Sequence, residues 1–134
     1  MKIFCYSNRQ TRAKALAKGI GPLTGSEDLL VCTGLQELSK ELVRPSHGIR
    51  IGVLAMEDGR EIIELFSLKS ILHDIRLIIL LEEESQETVA LAHQLKPRYL
   101  GPRDQSLDEV KGVLRCMIDR MGQLDRMGHS LVEK

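Results

Sequence analysis

The sequence predicts an α/β protein in which five parallel strands form one doubly wound sheet with helices on both faces. Five short apolar runs alternate with five stretches in which apolar residues recur every three or four positions. The run at 77–81 is continuously apolar, as expected for a parallel strand buried on both faces. With 134 residues and 43% apolar content, the chain is long enough for one domain with its own core. Right-handed crossovers then favour a three-layer sandwich with strand order 2-1-3-4-5.

The strands are predicted from short apolar runs, each of which lies between residues typical of turns or helices. They are residues 2–6, 29–33, 50–55, 77–81 and 99–100. Cys5 and Cys32 lie inside the first two strands, where a thiol usually serves as a small core side chain. Together with Cys116 they make an odd number without a C-x-x-C pair, which argues against a disulfide framework or a zinc site.

The first two helices are predicted from apolar spacing and from residues that end helices. We expect Gly19, Gly21 and Pro22 to end the first helix, because proline cannot donate a backbone hydrogen bond. The second helix should stop before Pro45. Its apolar face carries Leu35, Leu38 and Leu42.

Capping residues indicate where the other helices begin. Asp58 is the predicted N-cap of the third helix, whose broad apolar face we expect to be largely covered. Ser85 is the predicted N-cap of the fourth helix. Ser106 and Glu109 form a predicted capping box for the fifth.

The fifth helix carries an apolar seam that extends past the expected end of the domain at residue 121. The seam comprises Leu107, Val110, Leu114, Met117, Met121, Leu124 and Leu131. Residues 1–121 should form the domain, and we expect its last residue, Met121, and the apolar residues after it to lie past the part of the helix that covers the sheet. Residues 122–134 either extend the helix into a self-association seam or form a flexible tail, because Gly122 and Gly128 weaken a helix there.

The composition excludes several classes of function. Nineteen basic and nineteen acidic residues give a formal net charge of zero, so no overall field attracts nucleic acid or an anionic membrane. Two Tyr, two Phe and no Trp leave few platforms on which bases could stack. No apolar run reaches the ~18 residues of a membrane span, and no leader is evident, so we expect a cytoplasmic protein.

The arrangement of the strands predicts where a site would lie. In this fold, sites lie beyond the carboxyl ends of the strands, at the switch point between strands one and three. The acids Glu57 and Asp58 follow strand three at that place.

Element order, "DGREII" after strand three and "LGPRD" after strand five resemble the receiver domain of bacterial response regulators, a flavodoxin-like fold, over roughly residues 1–121. The resemblance implies an acidic pair after strand one that holds Mg²⁺ and an Asp at the end of strand three that accepts a phosphoryl group. Here Ser7 and Asn8 stand in place of the acidic pair, and Ala55 best matches the acceptor. Neither the metal charge nor the acceptor is therefore supplied.

The resemblance also implies a Ser or Thr after strand four and a Lys before a Pro after strand five. Glu82 occupies the first of these positions, where a carboxylate would repel phosphate, and Gly101 precedes Pro102 in place of the Lys. The resemblance therefore predicts a degenerate receiver that binds a signalling protein, without enzyme activity, cofactor or metal.

The acids after strands three and four leave three interpretations open. Glu57 or Asp58 could be a displaced phosphoryl acceptor, or both could belong to a solvated turn in which Asp58 caps the helix. Together with the acidic run 82–84 they could also form a divalent-cation patch.

A runner-up function depends on Cys5. Cys5 and Thr11 bracket five residues, which resembles the phosphocysteine loop of sugar-phosphotransferase IIB domains, and Arg9 and Arg12 would help to bind an anion there. Cys5 is otherwise a buried structural thiol. A small-ligand module on a flavodoxin-like sheet is a third reading, although the chain has no Gly-rich phosphate cradle.

The receiver resemblance also implies an interaction surface. In that family, the face made by the fourth helix, the fifth strand and the fifth helix contacts effectors and forms dimers. The corresponding residues here are Val89, His93, Tyr99, Arg103 and Asp108. We therefore expect a protein partner or a homodimer at this face or along the C-terminal helix.

Overall fold

Five parallel strands pair side by side in the order β2-β1-β3-β4-β5. A computed structural model describes residues 2–24, 29–44, 48–102 and 107–132, with the backbone alone for 24, 107 and 122–132. The strands are β1 (Lys2–Ser7), β2 (Leu29–Cys32), β3 (Ile49–Met56), β4 (Arg76–Leu81) and β5 (Tyr99–Pro102). The predicted fold class and strand order are confirmed.

Helices connect the strands and cover both faces of the sheet. They are α1 (Gln10–Thr24), α2 (Leu35–Leu42), α3 (Gly59–Leu65), α4 (Lys69–Leu72), α5 (Gln86–His93) and α6 (Leu107–Val132). The predicted third helix is divided, because a 3₁₀ turn at Phe66–Leu68 joins α3 to α4. The fourth and fifth predicted helices are therefore α5 and α6.

Two apolar clusters hold the three layers together. The first packs α2, α3, α4 and α5 against one face of the sheet, with the side chains of Phe4, Tyr6 and Leu54 fully or almost fully buried. The second packs α1 and α6 against the other face, around Cys5 and Val53. Alternate residues of β1 and β3 thus enter opposite clusters, which explains why these strands are continuously apolar.

Two of the predicted caps are present. The Asp58 side chain accepts from the backbone N–H of Glu61 at 3.0 Å, and the Ser85 hydroxyl accepts from the N–H of Thr88 at 3.2 Å. Both are N-cap bonds that satisfy a donor in the first turn of a helix. Ser106 of the third predicted cap lies outside the described residues.

The first helix does not end where the sequence predicts. α1 continues through Gly19, Gly21 and Pro22 to Thr24. Ile20 is fully buried and Leu23 packs against the second cluster, so burial of this last turn offsets the backbone hydrogen bond that proline lacks.

Two side chains differ from expectation in burial. Met121 was expected past the part of the helix that covers the sheet, yet it is 3% exposed and belongs to the second cluster, because α6 packs against that cluster as far as this residue. Ile63 is 54% exposed, so the apolar face of the third predicted helix is not completely covered. In the described part of the chain, no helix is both long and apolar enough to cross a bilayer.

Gly52 is required by its neighbour Phe4. The two residues are paired in the β1–β3 register, and the Phe4 ring lies over the space that a Cβ at position 52 would enter. Since Phe4 is fully buried in a close-packed core, its ring has little room to move.

Substitution of Gly52 by Ala should therefore destabilise the protein by about 1 to 3 kcal/mol, the usual cost of overpacking. Urea denaturation followed by circular dichroism measures the change in free energy of unfolding. Gly112→Ala in α6 is the matched control, because a Cβ there meets nothing within 4 Å and alanine favours the helix. Equal stability of Gly52→Ala and wild type would contradict the packing argument.

Candidate functional site

The last two rows of residues at the carboxyl edge of the sheet carry no charged side chain. In the strand register these rows are Ser7, Ala55, Leu80 and Gly101, followed by Met56, Leu81 and Pro102. Ser7 is fully buried, and its hydroxyl accepts from the N–H of Arg9 at 3.2 Å. Pro102 is tolerated because β5 is an edge strand.

Charged residues lie just beyond these rows, in pairs. Glu57, directly after β3, forms an ion pair with Arg9, directly before α1. Glu82, directly after β4, lies 3.7 Å from Arg12 of α1, measured from Oε2 to Nη2. The start of α1 thus brings two guanidinium groups to the carboxylates that follow the central strands.

A third polar link joins the end of β1 to α3. The amide Nδ2 of Asn8 donates to Oε2 of Glu61 at 2.8 Å. Glu61 is 7% exposed, and its other oxygen, Oε1, is buried without a hydrogen-bond partner among the described residues. A carboxyl group with one unsatisfied buried oxygen is costly in its ionised form.

These side chains surround a cavity of about 290 Å³ at the switch point between β1 and β3. Its lining consists of Tyr6, Asn8, Gly34, Leu35, Glu57, Asp58, Arg60, Glu61 and Glu64. Burial, followed by the charge of Glu57, raises the pKa of Glu61 to about 7. Burial and then the charge of Glu61 also raise the pKa of Tyr6.

The acids after β3 and β4 are held apart by separate partners. Ser85 and Thr88 donate their hydroxyls to Oε1 of Glu83 at 3.1 and 3.3 Å, while Asp58 caps α3. Among the residues that the structure describes, no group of three or more His, Cys, Asp or Glu side chains could hold a metal ion. The predicted cation patch of Glu57, Asp58 and 82–84 is thus not assembled.

Comparisons with solved structures identify the fold. A response regulator receiver protein from Pseudoalteromonas atlantica superposes with a TM-score of 0.71 at 12% identity, over 90% of this chain and 99% of that one. The N-terminal domain of a protein from Wolinella succinogenes superposes with a TM-score of 0.72 at 12% identity, over 94% of this chain and 98% of that one. A response regulator from Thermotoga maritima superposes with a TM-score of 0.61 at 9% identity, over 88% of this chain and 97% of that one.

The chain has the receiver-like fold. No family model and no curated protein matches its sequence. At these identities the likeness establishes the fold alone.

The receiver-like fold brings three of the sequence-predicted site positions into one row of the sheet. Ser7, Ala55 and Gly101 share that row, while Glu82 follows β4 and Asn8 follows β1. We expected Ala55 to end β3, but the strand continues to the buried Met56. A longer β3 thus makes Met56 the last strand residue and Glu57 the first residue after it.

The structure places Cys5 in the middle of β1, where it is completely buried. Burial, and secondarily the neighbouring Cys32, raises the pKa of the Cys5 thiol to about 12. A phosphocysteine loop requires the opposite, an accessible thiol with a depressed pKa. The geometry therefore does not support the phosphocarrier alternative.

The predicted interaction residues are distributed over both helices that flank β5. His93 and Asp108 are exposed, whereas Tyr99 is half-buried against the second cluster and Val89 packs partly against the first. Arg103 lies outside the described residues. Their role as an interface stays a prediction.

Sequence reasoning missed the position of Glu61. The spacing from Asp58 to Glu61 is that of a capping box, in which the carboxyl at the third helical position turns back toward the helix start. That pattern would have predicted Glu61 near the strand ends. Its contact with Asn8, 53 residues away, depends on the sheet and is not visible in any local pattern.

Glu61 should make stability fall as pH rises. Its folded pKa of about 7 exceeds the ordinary 4.5, so the folded state holds the proton more tightly. The stabilisation from the retained proton is complete at pH values below the ordinary pKa of 4.5. It is lost as pH rises through the folded pKa of about 7. We expect a loss on the order of 1 to 3 kcal/mol between about pH 5 and pH 8.

Urea denaturation across this pH range measures the effect in three proteins. Glu61→Gln should lack the decline, because the amide keeps an acceptor for Asn8 and does not ionise. Glu84→Gln, at an exposed position, should retain it. An identical decline in Glu61→Gln and wild type would refute the assignment.

Proposed function

We propose that the chain is a receiver-like signalling module that binds a protein partner and does not accept a phosphoryl group. The observation that carries the proposal is the absence of charge from the last two rows at the carboxyl edge of the sheet. Phosphoryl transfer in a receiver needs carboxylates for Mg²⁺, an Asp acceptor and an ammonium group to neutralise the phosphoryl oxygens.

The proposal does not depend on which residue of β3 is aligned with the acceptor. Ala55 and Met56 are both buried, and neither has a nucleophilic oxygen. Gly101, in the same row as Ala55, supplies no ammonium group opposite them. A shift of one position leaves the chemistry equally incomplete.

The remaining acids are engaged in other contacts. Glu57 is paired with Arg9, and Asp58 is used as the N-cap of α3. An arginine beside a carboxylate supplies the positive charge that a metal would otherwise bring, so the pair of Arg9 and Glu57 favours a metal-independent edge. These contacts argue against a displaced acceptor at either position.

Arg12 reinforces this arrangement on the β4 side. The Arg12 side chain is 13% exposed, and its guanidinium lies against Glu82, at the position where the receiver resemblance implies a hydroxyl residue. A carboxylate held there would repel an incoming phosphate. The edge therefore supports a fixed structural role, with binding at other surfaces of the molecule.

Incubation with Mg²⁺ and acetyl phosphate, or with beryllofluoride, tests the proposal. Intact-mass measurement should find no phosphorylated species, and the NMR spectrum should not change on addition of beryllofluoride, because the acceptor and the metal charge are missing. Glu57→Gln and Asp58→Asn are the matched variants. Stoichiometric phosphorylation that either variant abolishes would overturn the proposal and restore the displaced-acceptor reading.

A further inference from the structure

A cavity lined by three arginines lies at the opposite, amino edge of the sheet. Its volume is about 380 Å³, and its lining consists of Arg76, Arg98, Val113, Met117 and Arg120. Arg76 begins β4 and Arg98 directly precedes β5, while α6 returns to this edge and contributes Arg120. We call this feature the arginine cavity.

The three guanidinium groups have no carboxylate at ion-pair distance within the described part of the chain; the acid Asp74 lines a neighbouring cavity with Arg76 and Arg98. No ion pair joins Arg76, Arg98 or Arg120 to a carboxylate there, unlike Arg9 and Arg12 at the other edge. Arg98 and Arg120 are exposed and Arg76 is half-buried. Like charges held around one cavity repel one another, and an anionic group between them relieves that repulsion.

The arginine cavity continues into an apolar groove along α6. The groove has a volume of about 670 Å³ and shares Val113, Met117 and Arg120 with the cavity. It is also lined by Tyr99, Glu109, Gly112 and Cys116. From Glu109 to Arg120 it spans about 16 Å at the helical rise, enough for about five extended residues or three helical turns.

We propose that the arginine cavity and this groove bind a peptide segment of a protein partner in which acidic side chains adjoin apolar ones. The guanidinium groups would take the carboxylates through paired N–H donors. Val113, Met117 and Tyr99 would cover the apolar side chains. This inference rests on the proposed function in taking a protein as the occupant.

The chemistry of the lining favours a peptide over the other anionic occupants. A free inorganic anion would leave the apolar groove uncovered. A drug-sized molecule needs a site that encloses most of its surface, whereas Gly112, Cys116 and Arg120 along this groove are exposed. A nucleic-acid strand would meet a single aromatic ring, Tyr99, in the lining of the groove.

A model peptide tests the inference on the full chain. The probe is a fluorescein-labelled helical peptide of about 12 residues, the length of the groove, with Glu and Leu on one face. Fluorescence anisotropy should show binding that weakens with added salt. The same peptide with Gln in place of Glu should bind at least about tenfold more weakly.

Variants locate the binding site. Arg98→Gln combined with Arg120→Gln should weaken binding at least about tenfold, since both arginines would meet carboxylates. Arg115→Gln, also exposed on α6 but outside both linings, is the matched control and should bind as wild type does. Circular dichroism checks that both proteins stay folded. Met117→Ser should separately weaken the apolar part of the contact.

Several outcomes would overturn the inference. They are absence of binding up to about 1 mM peptide, equal binding of the Gln peptide, and equal binding by the double arginine variant. Full competition by equimolar inorganic phosphate would indicate a simple anion site, and tighter binding of a single-stranded oligonucleotide would indicate nucleic acid. A dimer seen by light scattering that the double variant dissociates would assign the surface to a second copy.

The experiments distinguish failure of the peptide-binding inference from failure of the proposed function. If the peptide does not bind and the protein is not phosphorylated, only the assignment of peptide binding to the arginine cavity is rejected. Phosphorylation of Glu57 or Asp58 would reject the proposed function and leave the peptide measurements valid.

Discussion

Burial of the central strands on both faces is the constraint on which the rest of this structure depends. β1, β3 and β4 have helices above and below them, and their interiors are apolar. A charge inside such a strand would lose its hydration without a partner, so charges collect at the two ends of the sheet. Basic residues begin strands, as Lys2 and Arg76 do, while Glu57 and Glu82 follow strand ends.

The two ends of the sheet differ in how their charges are balanced. At the carboxyl end, the first acid after β3, Glu57, and the first acid after β4, Glu82, each have an arginine near the start of α1 beside them. Asn8 adds a neutral link to Glu61, which is buried enough that its pKa rises to about 7. At this edge, amide and guanidinium groups hold in place the carboxylates that follow β3 and β4 and that of α3. A bound divalent cation can do the same at a site lined by carboxylates. The amino end has no ion pair around the arginine cavity within the described residues, which is why we propose peptide binding at that end.

Much of the fold could be predicted from local pattern, but the site could be predicted only in part. The apolar runs predicted all five strands, and Asp58 and Ser85 predicted two helix starts correctly. The predicted end of α1 was wrong. Local propensity favours a stop at Pro22, whereas packing of Ile20 against the sheet favours another helical turn. The bond between Asn8 and Glu61 is likewise a consequence of tertiary structure.

The sequence alone determined the doubly wound sheet and the lack of charged side chains in the last residues of its strands, because periodicity and residue chemistry can be read one position at a time. Tertiary structure decided which charges meet. Arg9 pairs with Glu57, and Arg76 and Arg120 line the same cavity, because parallel strands align their ends and α6 returns to the amino edge of the sheet. Such distant pairs depend on strand order and register, which require the whole core to be assembled.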